Sequence, residues 1–107
     1  FEALMPSLEK AKKRGVLIKI AAPINSDNIK FARELSKVAD VRHLDKIYGR
    51  FAIIDNEQMM LLLLDDKIVH PNYDCGVWLS SDYFAKSMGQ MVENTWKELI
   101  PVLKLKI

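Results

Sequence analysis

The stretch Phe51-Ala52-Ile53-Ile54-Asp55-Asn56-Glu57-Gln58-Met59-Met60-Leu61-Leu62-Leu63-Leu64 decides how the chain folds. Two apolar runs flank a short polar cluster. Asp and Asn bond to their own turn and tolerate left-handed backbone, so Asp55 and Asn56 mark a tight reversal. The simplest reading is a β-hairpin with strands over 51–54 and 59–64. The second strand has no polar alternation. Such a run is covered on both faces, either centrally in a sheet or against a second chain.

Toward the N-terminus, Leu4, Leu8 and Ala11 recur at helical spacing and Phe1 extends the stripe backwards. Pro6 suits a first helical turn and Gly15 the position just past an end, which predicts a helix over about 6–14. The basic cluster Lys10, Lys12, Lys13 and Arg14 then fits a solvated last turn, where cations favour the macrodipole. The apolar run 16–20 reads as a strand covered on both faces, ended by Pro23. Asn25, Ser26 and Asp27 are all good caps. A second amphipathic helix follows over about 26–38, with Phe31, Leu35 and Val38 on one face beside Ala32 and Ala39. A short strand over 41–44 leads to the hairpin.

Beyond the hairpin, 65–74 reads as a loop, with a short strand at 68–69. A last strand covers 75–79. Ser80 or Ser81 caps a final helix whose face is Phe84, Met88, Met91, Thr95 and Leu99, with Val92 and Trp96 flanking it, stopped by Pro101. The tail 102–107 has no assigned state. Strands separated by helices predict an α/β fold: a mixed sheet with a β-hairpin and flanking helices.

The length of 107 residues suits one domain spanning 1–107. A net charge of +2, from 16 basic and 14 acidic residues, gives no electrostatic footprint for nucleic acid. The single cysteine, Cys75, cannot form an internal disulfide and lies in an apolar stretch, which predicts a buried thiol in a reducing, cytoplasmic setting. No metal-ligand spacing, cofactor motif or membrane-length apolar run is present. His43 and His70 read as ordinary surface histidines. Met59, Met60, Met88 and Met91 read as core filler, and Trp78 and Trp96 as packing residues. The chain opens at Phe1 inside a helical pattern, which reads as a fragment of a longer protein.

Tyr48-Gly49-Arg50-Phe51-Ala52-Ile53-Ile54-Asp55 has a second meaning. Its spacing resembles the phospholipase D signature of histidine, any residue, lysine, four residues and aspartate. Tyr48 stands at the histidine place, Arg50 at the lysine place and Asp55 at the aspartate place. The segment 8–16 also looks like that family's first helix turning into its first strand. The resemblance implies a phospholipase D-like half-fold. Its chemistry needs a neutral imidazole to attack phosphorus and a cation to steady the phosphoryl oxygens. A tyrosine hydroxyl, with a reference pKa of about 10, stays protonated at neutral pH. Leu61, Leu62, Leu63 and Leu64 occupy the place of the family's small Gly-Ser pair. These departures predict a protein without catalysis. Arg50 and Asp55 then either flank a buried strand and start a turn, or join Tyr48 in a vestigial pocket for an anion or a sugar-like effector.

The C-terminal half narrows the resemblance. Val77-Trp78-Leu79-Ser80, a helix ending in Asn94-Thr95-Trp96, and Ala39-Asp40-Val41-Arg42 ahead of Gly49-Arg50-Phe51 are similar to the TrmB-type archaeal transcription regulators. That resemblance implies an effector-sensing or dimerising module that forms a homodimer. DNA would be bound by a winged helix preceding Phe1, and no membrane is involved. The alternative is a divergent phosphodiesterase or nuclease using Tyr48, Arg50 and Asp55.

Overall fold

A computed structural model describes residues 2–45, 50–62 and 75–105. The chain divides into two compact units, Phe1–Lys46 with Leu99–Ile107, and Ile47–Glu98.

In the first unit a 3-10 turn at Glu2–Leu4 runs into helix α1, Met5–Lys13, with Pro6 in its first turn. The helix closes as a Schellman motif. Val16 N–H donates to Ala11 O at 3.1 Å and Gly15 N–H to Lys12 O at 3.0 Å. Gly15 sits at φ 89°, a left-handed conformation that glycine takes without a Cβ penalty. This closure delays the first strand. β1 is Lys19–Ala22 rather than 16–20, and Val16 and Leu17 are exposed, Leu17 at 93%. The expectation of cover on both faces fails here, since the residues of β1 alternate between exposed and half-buried; among the described residues β1 pairs with β2, Asp40–His43. That pairing is parallel, from Lys19 opposite Asp40 to Ala22 opposite His43.

Helix α2, Ile29–Leu35, is shorter than predicted at both ends. Its start is built by a reciprocal cap. Asn25 Oδ1 accepts from Asp27 N–H at 2.8 Å and Asn28 N–H at 3.2 Å, while Asn28 Oδ1 accepts from Asn25 N–H at 2.9 Å. Beyond Leu35 the turn tightens: Lys37 N–H donates to Glu34 O and Val38 N–H to Leu35 O. Ile29, Ala32, Leu35 and Val38 are buried, and Phe31 is only half-buried. Strand β6, Ile100–Pro101, pairs antiparallel with β2, placing Pro101 opposite Arg42. The residue read as a helix stop is thus an edge-strand proline, whose missing N–H leaves no ladder bond unmade. A further 3-10 turn, Val102–Lys104, puts Val102 into the core with Ile24, Ile29, Ala32, Leu35 and Val41.

The second unit holds the predicted hairpin. β3, Arg50–Ile54, and β4, Gln58–Leu62, pair antiparallel, and β5, Gly76–Ser80, adds on the other side of β4. Asp55 and Asn56 both lie at φ 54°, and Glu57 N–H donates to Ile54 O at 3.0 Å, the pattern of a type I′ turn. Helix α3, Asp82–Trp96, is capped by Ser81, whose Oγ accepts from Phe84 N–H at 3.3 Å. It buries Ala85 and Trp96, with Met88, Gly89 and Val92 half-buried between them. The predicted face is about one residue out of phase: Phe84 is 41% and Met91 61% exposed. Leu99 lies beyond the helix. Gly89 stands beside the hairpin turn, where a Cβ would meet the end of the exposed Asn56 side chain.

Among the described residues the strands form two small sheets, one mixed and one antiparallel, where a single mixed sheet was predicted. Parallel pairing there is confined to β1 and β2. The loop 65–74, its strand at 68–69, and Leu63 and Leu64 lie outside the described residues.

Candidate functional site

Tyr48 lies outside the described residues, as does His70. Arg50 opens β3 and is half-buried. Asp55 follows the last residue of the same strand, is exposed, and is committed to the turn by its positive φ. At about 3.3 Å per strand residue the two stand roughly 16 Å apart along the chain direction. The structure does not bring them together, and the reading of Asp55 as a turn former describes where it sits. Arg50 is opposite Leu62, with Gly76 next across the sheet.

Strand alternation sorts the second sheet into two faces. Phe51 and Ile53, Met59 and Leu61, and Val77 and Leu79 share one side. Met59 is 1% exposed, as is Ala85 of α3, which identifies this as the helix-covered side. Arg50, Ala52 and Ile54, then Gln58, Met60 and Leu62, then Gly76, Trp78 and Ser80 take the other side. There Ile54 is 43%, Met60 37% and Trp78 55% exposed. β4 does occupy the centre of its sheet, but the expectation that it is covered on both faces fails at Met60. The sequence reading of the unbroken apolar run of β4 left open cover by a second chain; which side α3 covers depends on packing and was not legible.

His43 is not an ordinary surface residue. Its side chain is 19% exposed, its Nδ1 accepts from the Ile24 N–H at 3.0 Å, and its Nε2 lies 2.9 Å from Asp45 Oδ1. A ring nitrogen that accepts a backbone N–H carries no hydrogen, so the hydrogen belongs on Nε2, donated to the carboxylate. The ring thereby ties the loop after β1 to the end of β2, which is a structural task. Cys75 is exposed rather than buried, because it precedes β5 instead of lying inside it. Met60 and Met91 are likewise exposed, so only part of the methionine set fills the core. Among the described residues no group of three or more His, Cys, Asp or Glu side chains could hold a metal ion.

Two depressions mark the first unit. One, of about 190 Å³, is lined by Ser36, Asp40, Pro101 and Val102 among others, and Asp40 there is already paired with Arg42 at 3.3 Å. The other is an open groove along α2 beside Lys30, Arg33 and Glu34. Neither borders Arg50 or Asp55. No helix among the described residues is long and apolar enough to cross a membrane.

The fold is a mixed α/β one with two small sheets and three helices. No family model matches the chain, and no curated protein matches it. Among solved structures it is similar to TrmBL2, described as an archaeal chromatin protein with a novel mode of DNA binding. The two are 24% identical with a TM-score of 0.70, over 91% of this chain and 39% of that one. At that identity the likeness establishes a shared fold, and it points the same way as the sequence resemblance to TrmB-type proteins. The chain spans well under half the length of this neighbour.

Proposed function

We propose that the chain is a non-catalytic, effector-sensing or dimerising module of a TrmB-like transcription regulator, built on a phospholipase D-like half-fold. The observation that carries the reading is the tyrosine at position 48, where the signature has the histidine that attacks phosphorus. The leucines at 61 and 62, in the place of the small Gly-Ser pair, weigh in the same direction. The fold shared with a chromatin protein supports a place in a DNA-associated, cytoplasmic regulator. DNA contact falls to a winged helix elsewhere in the full-length protein, since this chain carries a net charge of only +2.

In this reading Arg50 belongs to a vestigial pocket for a small anionic or sugar-like effector, and the module pairs with a second copy, as operator-binding regulators match a two-fold site. Light scattering on the purified chain tests the pairing. The mass of a dimer at micromolar or higher concentration is the expected result, and a monomer throughout removes the dimerising role.

A further inference from the structure

We propose that the C-terminal end of α1 is a docking surface for the phosphate backbone of double-stranded DNA, with Lys10, Lys13 and Arg14 as the contacting cations. The inference rests on the regulatory-module reading and goes beyond it. That reading places base recognition in a winged helix outside this chain; the module itself adds a contact that does not depend on sequence. The net charge of +2 is the sum of two opposite values. The first unit holds 12 of the 16 basic residues and 6 of the 14 acidic ones, a net charge of +6. The second holds 4 and 8, a net charge of −4. A small unit with such an excess attracts a polyanion even though the whole chain is close to neutral.

Within the first unit the excess is concentrated. Between positions 3 and 26 the single carboxylate, Glu9, stands against Lys10, Lys12, Lys13, Arg14 and Lys19. The four cations of the helix end are exposed, and among the described residues none of the four is held in an ion pair. At 3.6 residues per turn, Lys10, Lys13 and Arg14 share an arc of roughly 100° within one turn. Met5 and Leu8, which pack against the core, occupy the opposite side of the helix. The three cations therefore face solvent together.

Ending the helix does not require them. Cations in a last turn favour the macrodipole and can bond its free carbonyls. Here the main chain already takes those carbonyls. Lys10 O and Ala11 O accept from Arg14 N–H, Ala11 O also from Val16 N–H, and Lys12 O from Gly15 N–H. The macrodipole amounts to about half a negative charge, which one cation offsets. Further cations repel one another: Lys10 stands three residues before Lys13 and four before Arg14, spacings at which like charges destabilise a helix. A row of phosphates relieves that repulsion. Exposed, flexible cations of this kind hold a nucleic-acid backbone by charge and carry no base readout.

Fluorescence anisotropy of a labelled mixed-sequence duplex of about 20 base pairs, titrated with the purified 107-residue chain between about 50 and 200 mM salt, tests the surface. Three phosphate contacts predict a slope of log K against log salt of about −2.7. The triple variant Lys10→Gln, Lys13→Gln, Arg14→Gln is expected to bind about tenfold or more weakly at the low-salt end and to lose most of that slope. Its urea midpoint should stay level or rise, because glutamine is a good helix former and the repulsion is gone. A control variant, Lys37→Gln, Lys86→Gln, Lys97→Gln, removes the same charge elsewhere and should bind within about twofold of the wild type. No binding at about 50 mM salt, or an equal loss in the control, overturns the surface while leaving the regulatory reading, which rests on residue 48, intact. A lowered midpoint with unchanged binding in the triple variant assigns the cations to the helix alone and overturns it too. So does stronger binding to phosphatidylcholine vesicles with roughly a quarter phosphatidylserine than to the duplex. So, finally, does salt-sensitive self-association without DNA that the triple variant loses. Failure of the regulatory reading has its own readout, turnover of a phosphodiester.

Discussion

Met59 and Met60 are neighbours in sequence and opposites in environment, which makes them the sharpest probe of the second unit. Met59 is 1% exposed on the side that α3 covers, and Met60 is 37% exposed on the other. Truncating Met59 to alanine removes a fully buried side chain worth about 1.5–3 kcal/mol in transfer alone. The space left beneath α3 adds a cavity term, and buried Met→Ala changes reach about 2–5 kcal/mol in total. Met60→Ala gives up only part of its contact area and opens no enclosed cavity, so about 1 kcal/mol is expected. Urea titration with intrinsic fluorescence reads both, since Trp96 is buried in the same unit. With an m-value of roughly 1–3 kcal/mol/M, Met59→Ala lowers the midpoint by about 1 M or more and Met60→Ala by a third of that. Equal losses at the two positions, or a larger loss at Met60, would refute the assignment of the covered face.

Three further outcomes follow from single contacts. Gly15→Ala meets nothing within 4 Å, so its cost is the positive φ alone, about 1 kcal/mol in a urea midpoint; an unchanged midpoint would argue against the left-handed cap. Gly89→Ala requires only that the exposed Asn56 side chain turn away, so alanine's helix propensity is expected to leave stability level or raise it by up to about 1 kcal/mol in a urea titration; a loss of more than about 1 kcal/mol would contradict the freedom of that side chain. His43→Phe strands the Ile24 N–H and is expected to cost about 1–3 kcal/mol, while nitrogen NMR of the wild type at neutral pH should find the hydrogen on Nε2; a hydrogen on Nδ1 contradicts the bond to Ile24.

What could be read from the sequence was what depends on neighbours in sequence. Asp55 and Asn56 specify the hairpin turn by their own chemistry, and Pro6 with Gly15 brackets α1. The start of β1 was misplaced by three residues because the helix closure uses the Val16 N–H and the strand begins only where β2 is alongside. α3 carries apolar residues on two adjacent stripes. Hydrophobicity favoured Phe84 and Met91, while the sheet settled against Ala85 and Trp96, a choice made by shape. β6 had no signal of its own, since two residues become a strand only beside β2. Of the candidate site, the residues of the degenerate motif were legible, and so was the separation of Arg50 from Asp55, which the predicted strand over 51–54 already set.

The central claim is that this scaffold makes contacts and does no phosphoryl chemistry. Hydrolysis of a chromogenic phosphodiester by the purified chain, followed beside a Tyr48→Phe variant, tests it most directly. The account predicts no turnover above buffer for either protein. Release of the chromophore by the wild type that disappears in Tyr48→Phe would contradict it.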